Sequence, residues 1–416
     1  MDIWHLKGGN RLSGVCSVQG SKNATLPILA ASIICPLRCE LTNVPKLSDV
    51  DAALRILRQL GCRAEFSDSR VYIDSTTLSY TAIPHSLMAE MRSSVIFMGA
   101  LIARCGEARL SLPGGCQLGK RPIDMHLSAL RKMGADIEED GGEICCLPSK
   151  LKGQDIVLPF PSVGATENIM LAACTAQGKT VIRGAAREPE IIALQDFLRA
   201  MGANVMGAGS DTVIIDGLVP QSHVKHKIIP DRIAASTFAC ALAAMGGDIE
   251  LREVENEQFS TVLYFLNQAG CDIINFTRAV RLRSDGKLKA VEQISTAPYP
   301  GFPTDAQPVL MAALLKAKGE SLITENIFEN RYRQVPELIK LGADIRLEGR
   351  DARIRGVEKL HGASLQATDL RGGAAMIIAA LCAEGESIIH DTGHVKRGYE
   401  NLDLSLRTLG ADIVLR

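Results

Sequence analysis

A chain of 416 residues, 46% of them hydrophobic, predicts two or three domains with ample apolar cores. A formal net charge of -1 and an aromatic content of 4% argue against a nucleic-acid surface, which needs a basic face and stacking rings. No apolar run reaches the length of a membrane span and the first residues lack a signal-peptide pattern, so a cytoplasmic protein is expected. The 12 cysteines are irregularly spaced, without a CxxC pair, which predicts reduced thiols. Most of them, such as Cys174, Cys240 and Cys382, should be buried as small hydrophobes.

In chain order, one pattern recurs six times. A helical segment ends at glycine and releases an Ala/Cys-Asp-Ile type strand, at Gly61, Gly134, Gly202, Gly270, Gly342 and Gly410. The intervals are 73, 68, 68, 72 and 68 residues. Each glycine suits a helix C′ position, where a left-handed residue turns the chain into a strand. Self-similarity on this scale denotes a repeated supersecondary unit. An earlier, Ala-rich helix in each copy ends at Pro36, Gly106, Gly178, Gly246, Gly319 and Gly385, and an apolar strand follows. With few charges over their central turns, these helices should be buried on most sides, with sheets around them.

The fold class expected is therefore α/β: two inside-out, barrel-like domains, each of three βαβαββ units of about 70 residues. The last copy ends after its first hairpin strand, and the segment at 2–6 would supply the missing partner. The domains expected are 21–229, and 1–20 together with 230–416 closed by pairing of the termini.

Fourteen residues before each first-helix terminator stand Lys22, Arg92, Gly164, Arg232, Asp305 and Arg371. Thirteen before the second-helix glycine stand Arg121 in the second copy and Arg397 in the sixth. Cations at helix starts oppose the macrodipole, which points to an anion held between them and the helical N–H groups. Asp305, a carboxylate where the other copies carry mostly cations, is either a general base or the N-cap of its helix. The loop at 112–127 (LPGGCQLGKRPIDMHL) adds a thiol, Cys116, beside Lys120 and Arg121. Neighbouring cations pull a thiol's pKa toward neutrality. The spacing of His390 and His394 suggests a metal weakly, because Gly393 breaks any helix aligning them, and no metal or cofactor is expected.

The segments GSKNA, LPGGCQLGKRPID, SVGATEN, FPTDAQ, FENR, ATDLRGGA and RGYE, taken together, resemble the UDP-N-acetylglucosamine 1-carboxyvinyltransferase family of enolpyruvyl transferases, over essentially the whole chain. The resemblance implies a transferase acting on phosphoenolpyruvate and the 3′-hydroxyl of UDP-N-acetylglucosamine, with release of phosphate. Such an enzyme opens peptidoglycan precursor synthesis and so bears on cell-wall biogenesis, cell shape and division. By resemblance, Lys22, Arg121 and Arg397 contact phosphoenolpyruvate. Cys116 matches the family's proton donor and transient nucleophile, which is open to the antibiotic fosfomycin, and Asp305 matches the residue that engages the reacting hydroxyl. Asn23, Arg92, Arg121, Pro122, Ile123, Asp124, Met125, Ser162, Val163, Gly164 and Ile327 match positions that hold the nucleotide sugar. Asp369 and Arg371 match a pair at the domain interface. Phe160 stands near where some members carry a nucleotide-binding lysine, and that contact is not carried over. Transfer to shikimate 3-phosphate and a non-catalytic regulatory paralogue are the alternatives. The partners expected are these small molecules, with no nucleic acid and no membrane, and the oligomeric state stays open, a monomer included.

Overall fold

A computed structural model describes residues 2–111 and 123–416, excepting the side chains of Arg92 and Ser93. Cys116, Lys120, Arg121 and Pro122 lie outside the described residues. The chain forms two compact units, one of Met1–Gln19 with Pro230–Arg416, the other Gly20–Ile229.

Within each unit three apolar helices are packed together: Lys22–Ala31, Ile96–Cys105 and Val163–Ala173 in one, Arg232–Met245, Gln307–Leu314 and Leu370–Leu381 in the other. Their central turns are buried on every side, for example all of Ala24–Ala31 and nearly all of Arg232–Met245. Alanine, glycine and small branched residues dominate these helices, so their axes approach closely. Gly99 shows how closely. A Cβ there would stand 2.3 Å from the backbone oxygen of Asn168 on the facing helix.

Six four-stranded sheets surround these helices, three in each unit among the described residues. Asp155–Val157 runs parallel to Thr180–Arg183, which pairs antiparallel with Thr212–Leu218, which in turn takes Ala203–Met206. The other five sheets repeat that order of pairing. Strands such as Arg70–Asp74 alternate exposed and buried residues, placing one face on the helices and one in water. Three sheets borrow a strand from a distance. His223–Lys227 joins Arg38–Thr42, Leu12–Ser17 joins Gly247–Arg252, and Asp2–Lys7 pairs with both Glu386–Asp391 and Asp412–Leu415.

The glycines Gly61, Gly134, Gly202, Gly270, Gly342 and Gly410 all have φ between 95° and 109°. That conformation penalises any Cβ, which accounts for the repeated glycine. The 11 described cysteines are all free thiols. Burial pushes Cys39, Cys62, Cys146, Cys174 and Cys382 up to about 12, so they pack as inert hydrophobes.

Candidate active site

In the unit formed by Gly20–Ile229, Lys22 opens its helix, and the Ser21 hydroxyl caps that helix by accepting from Ala24 N–H at 3.2 Å. The Lys22 ammonium reaches Asp49 Oδ2 at 3.1 Å, and Asp49 is almost fully enclosed. A buried carboxylate therefore counters the unfavourable helix end that Lys22 occupies. Asn23, the next residue, is half-buried.

Ser162 caps the Val163–Ala173 helix, its hydroxyl accepting from Ala165 N–H at 3.3 Å. Ser162, Val163 and Gly164 are all half-buried, so the free N–H groups of this helix start are within reach of a ligand. Ile123 precedes the Asp124–Lys132 helix. Asp124 is exposed on its first turn, where a carboxylate suits the dipole, and Met125 is half-buried. Arg92 begins the 3-10 turn Arg92–Val95.

In the other unit, Asp305 lies in the 3-10 turn Thr304–Ala306, and no side chain caps that turn or the helix after it. The N-cap alternative for Asp305 is thereby set aside. Instead its Oδ1 accepts from Arg331 Nη2 at 2.8 Å and its Oδ2 from Arg371 Nη2 at 3.3 Å. Arg331 also donates from Nε and Nη2 to Thr304 C=O, at 3.1 and 2.9 Å, and is 2% exposed. The carboxylate is thus gripped on both oxygens by two buried guanidiniums, while remaining about 30% exposed itself.

Asp369 and Arg371 meet through the backbone and not through a side-chain ion pair. Asp369 Oδ1 accepts from the backbone N–H groups of Arg371 and Gly372 at 3.0 Å each, capping the Leu370–Leu381 helix. The Arg371 guanidinium lies 5.3 Å from the Tyr399 ring centroid and turns to Asp305. Burial works against its charge, but Tyr399, Asp305 and Asp231 outweigh that and raise its pKa. Tyr399 shares a 2.8 Å hydrogen bond with Thr237, which ties Arg371's aromatic support to the Arg232–Met245 helix.

Ile327 sits on a turn built by buried Glu325. Its Oε1 accepts from Thr296 Oγ1 and from the backbone of Ile327 and Phe328, at 3.0, 2.8 and 3.1 Å. The other oxygen accepts from Thr304 Oγ1 at 3.0 Å, so one carboxylate fixes both the Ile327 turn and the segment before Asp305. Arg397 is half-buried in the 3-10 turn Val395–Arg397. Asp391 holds that turn through His394 N–H and Val395 N–H, at 2.7 and 3.1 Å, so its carboxylate serves the backbone. Among the described residues no three His, Cys, Asp or Glu side chains gather to hold a metal.

Several functional-looking residues have no role in the sequence reading. Arg331 lies inside the quoted FENR segment, and its burial beside Asp305 reflects contacts 26 residues apart. Asp49 is hidden in an ordinary amphipathic helix. Glu167 and Asn168 left a signal: with Thr166 they make a polar run inside a largely apolar helix. Glu167 is buried with Glu188 and Glu190, and its pKa is raised well above the usual carboxylate value by burial and then by those two neighbours.

Comparison with known proteins adds five findings. The profile of the family described as EPSP synthase (3-phosphoshikimate 1-carboxyvinyltransferase) matches residues 6–406. A protein of Caldanaerobacter subterraneus named UDP-N-acetylglucosamine 1-carboxyvinyltransferase 2 is 46% identical over 100% of this chain and 99% of its own. One from Carboxydothermus hydrogenoformans named UDP-N-acetylglucosamine 1-carboxyvinyltransferase 1 is 48% identical over 99% and 98%. Among solved structures, the enolpyruvyl transferase NikO from Streptomyces tendae superposes with a TM-score of 0.90 at 25% identity, covering 100% of this chain and 98% of that one. The EPSP synthase of Acinetobacter baumannii shares the fold, with a TM-score of 0.76 at 21% identity over the whole of both chains.

Proposed function

Because the chain belongs to the EPSP synthase family of 1-carboxyvinyltransferases, we propose that it transfers the enolpyruvyl group of phosphoenolpyruvate to the 3′-hydroxyl of UDP-N-acetylglucosamine. The names carried by its relatives favour this acceptor over shikimate 3-phosphate, as do the Cys116 loop and Arg92. The observation that carries the reading is the grip of Arg331 and Arg371 on a partly exposed Asp305.

A carboxylate offers about four lone-pair sites, and two guanidinium bonds leave others for a substrate hydroxyl. Arginines on both oxygens hold Asp305 in a fixed orientation. It therefore aligns the hydroxyl first, and takes its proton as the oxygen bonds to C2 of phosphoenolpyruvate and becomes acidic. In the same addition the Cys116 thiol delivers a proton to C3, giving a tetrahedral adduct. Elimination then breaks the C2–O bond to phosphate and returns a C3 proton to the protein, leaving the enol ether. Lys22, Arg121 and Arg397 balance the charge of phosphoenolpyruvate and of the departing phosphate. The nucleotide sugar is held by Asn23, Arg92, Arg121, Pro122, Ile123, Asp124, Met125, Ser162, Val163, Gly164 and Ile327.

The product would feed peptidoglycan synthesis in the cytoplasm, and with it cell shape and division. The deciding assay is phosphate release from phosphoenolpyruvate with each acceptor in turn. Turnover with UDP-N-acetylglucosamine and none with shikimate 3-phosphate is expected, and the reverse result refutes the assignment.

A further inference from the structure

Asn168 is a polar residue in an apolar place. It lies on the Val163–Ala173 helix, where every residue from Ala165 onward is buried, and it is itself wholly enclosed. A buried carboxamide has two N–H donors and one oxygen acceptor, and must satisfy them within the protein. Its Oδ1 accepts from Gly99 N–H at 2.6 Å, and its Nδ2 donates to Val95 C=O at 3.0 Å. Val95 and Gly99 are four apart at the start of the Ile96–Cys105 helix. The amide therefore bridges the two backbone groups that a helical turn ordinarily joins to each other. A side chain at position 99 is excluded, since its Cβ would stand 2.4 Å from this Oδ1.

Those two backbone partners decide which end of the amide is nitrogen, because Gly99 offers a donor and Val95 an acceptor. The remaining Nδ2 proton meets His126 Nδ1 at 2.9 Å. Nδ1 must then accept, and a neutral imidazole that accepts at Nδ1 carries its proton on Nε2. Burial lowers the His126 pKa to about 4, which keeps the ring neutral. The Cε1–Nε2 edge borders Gly164: a Cβ there would lie 3.2 Å from Cε1 and 3.4 Å from Nε2.

We propose that Asn168 is a positioning residue of the nucleotide-sugar site, holding His126 as the Nε2–H tautomer so that it presents a fixed donor to a ligand oxygen at the first turn of the Val163–Ala173 helix. This rests on the reading of Ser162, Val163 and Gly164 as nucleotide-sugar contacts. One amide thereby ties together three segments assigned to that ligand: the turn Arg92–Val95, the Asp124–Lys132 helix and the Val163–Ala173 helix. A hydrophobic residue at 168 would pack the helices but leave the tautomer unset.

The test is nitrogen-15 NMR of the histidine rings, assigned by comparison with His126→Phe, together with calorimetric binding of UDP-N-acetylglucosamine. In the unaltered protein His126 should be protonated at Nε2 alone. Asn168→Asp keeps the acceptor for Gly99 but sets an acceptor against Nδ1, so the proton should move to Nδ1. UDP-N-acetylglucosamine should then bind about 10- to 100-fold more weakly, the usual worth of a hydrogen bond to a charged or strongly polar group. His126→Phe, which preserves the ring shape, should lose a similar factor. A proton on Nδ1 in the unaltered protein overturns the proposal, as does unchanged affinity in His126→Phe, and both readings stand even if Asn168→Asp fails to fold. A protein that binds the nucleotide sugar with the expected tautomer but releases no phosphate would sink the enolpyruvyl-transfer reading and leave this one standing.

Discussion

The burial of His126 predicts an acid-labile unit Gly20–Ile229. The ring ionises near 6.5 in an unfolded chain, whereas burial lowers it to about 4 in the fold. Between those values the unfolded chain binds the proton that the folded one refuses. Stability therefore rises with pH across this window, and is lost as pH falls from about 6.5 toward 4. A separation of about 2.5 pH units, at about 1.4 kcal/mol each, corresponds to roughly 3.4 kcal/mol in full. The part already expressed at pH 5 is about 2 kcal/mol, and at pH 7.5 it is negligible. Other groups titrate as well, so the useful quantity is the difference between the protein and His126→Gln, which still offers Asn168 an acceptor. The single tryptophan, Trp4, lies in the other unit and is a poor reporter. Urea unfolding is better followed by pulse proteolysis, with fragments of 20–229 identified by mass. The unaltered protein should lose about 2 kcal/mol more than His126→Gln between pH 7.5 and 5. Parallel losses would refute the argument, showing that the ring is solvated or paired with a carboxylate in solution.

Four further outcomes are expected. Arg331→Met removes one jaw of the Asp305 grip and two donors to Thr304 C=O, so kcat should fall about 100-fold with little change in KM for either substrate, and a loss confined to KM would count against it. Glu167→Gln should stabilise the protein at pH 7.5: the folded carboxyl holds its proton above the ordinary value, so folding opposes ionisation there, and the advantage should vanish below about pH 4.5 in the same urea experiment. Gly99→Ala forces a Cβ against Asn168 and should cost about 1–3 kcal/mol, read from the denaturation midpoint. Cys116→Ser should abolish alkylation by fosfomycin, seen by intact mass, and persistent labelling at the same rate would mean that another thiol reacts.

The repeat was legible because helix termination is local chemistry. A glycine after the second helix records a left-handed φ, and six such residues all adopt it. The burial of the first helices was legible for the same reason, since a helix apolar on all sides has few places to go. Side-chain partnership was not. Asp305 read equally well as a helix cap, and only the arrival of Arg331 and Arg371, 26 and 66 residues away, gives its oxygens their partners. Nor was the cap role of Asp369 legible: its carboxylate accepts from the N–H groups of Arg371 and Gly372.

These cases share a rule. A polar residue at a helix start satisfies the backbone first, where geometry puts donors within reach at little entropic cost, and looks further when another group already caps the end. Ser21, Ser162, Asp231 and Asp369 cap their helices, and the residues one or two positions on, Lys22, Arg232 and Arg371, extend past the cap to side chains or rings. The Asp305 copy inverts the arrangement. No side chain caps its 3-10 turn, and Arg331 instead donates twice to the carbonyl of Thr304. Arg331 binds that carbonyl and the Asp305 carboxylate together, while Glu325 accepts from the Thr304 hydroxyl. Asp305 thus directs its oxygens to Arg331 and Arg371 rather than to the backbone of its own turn, at the one such repeat position that carries a carboxylate.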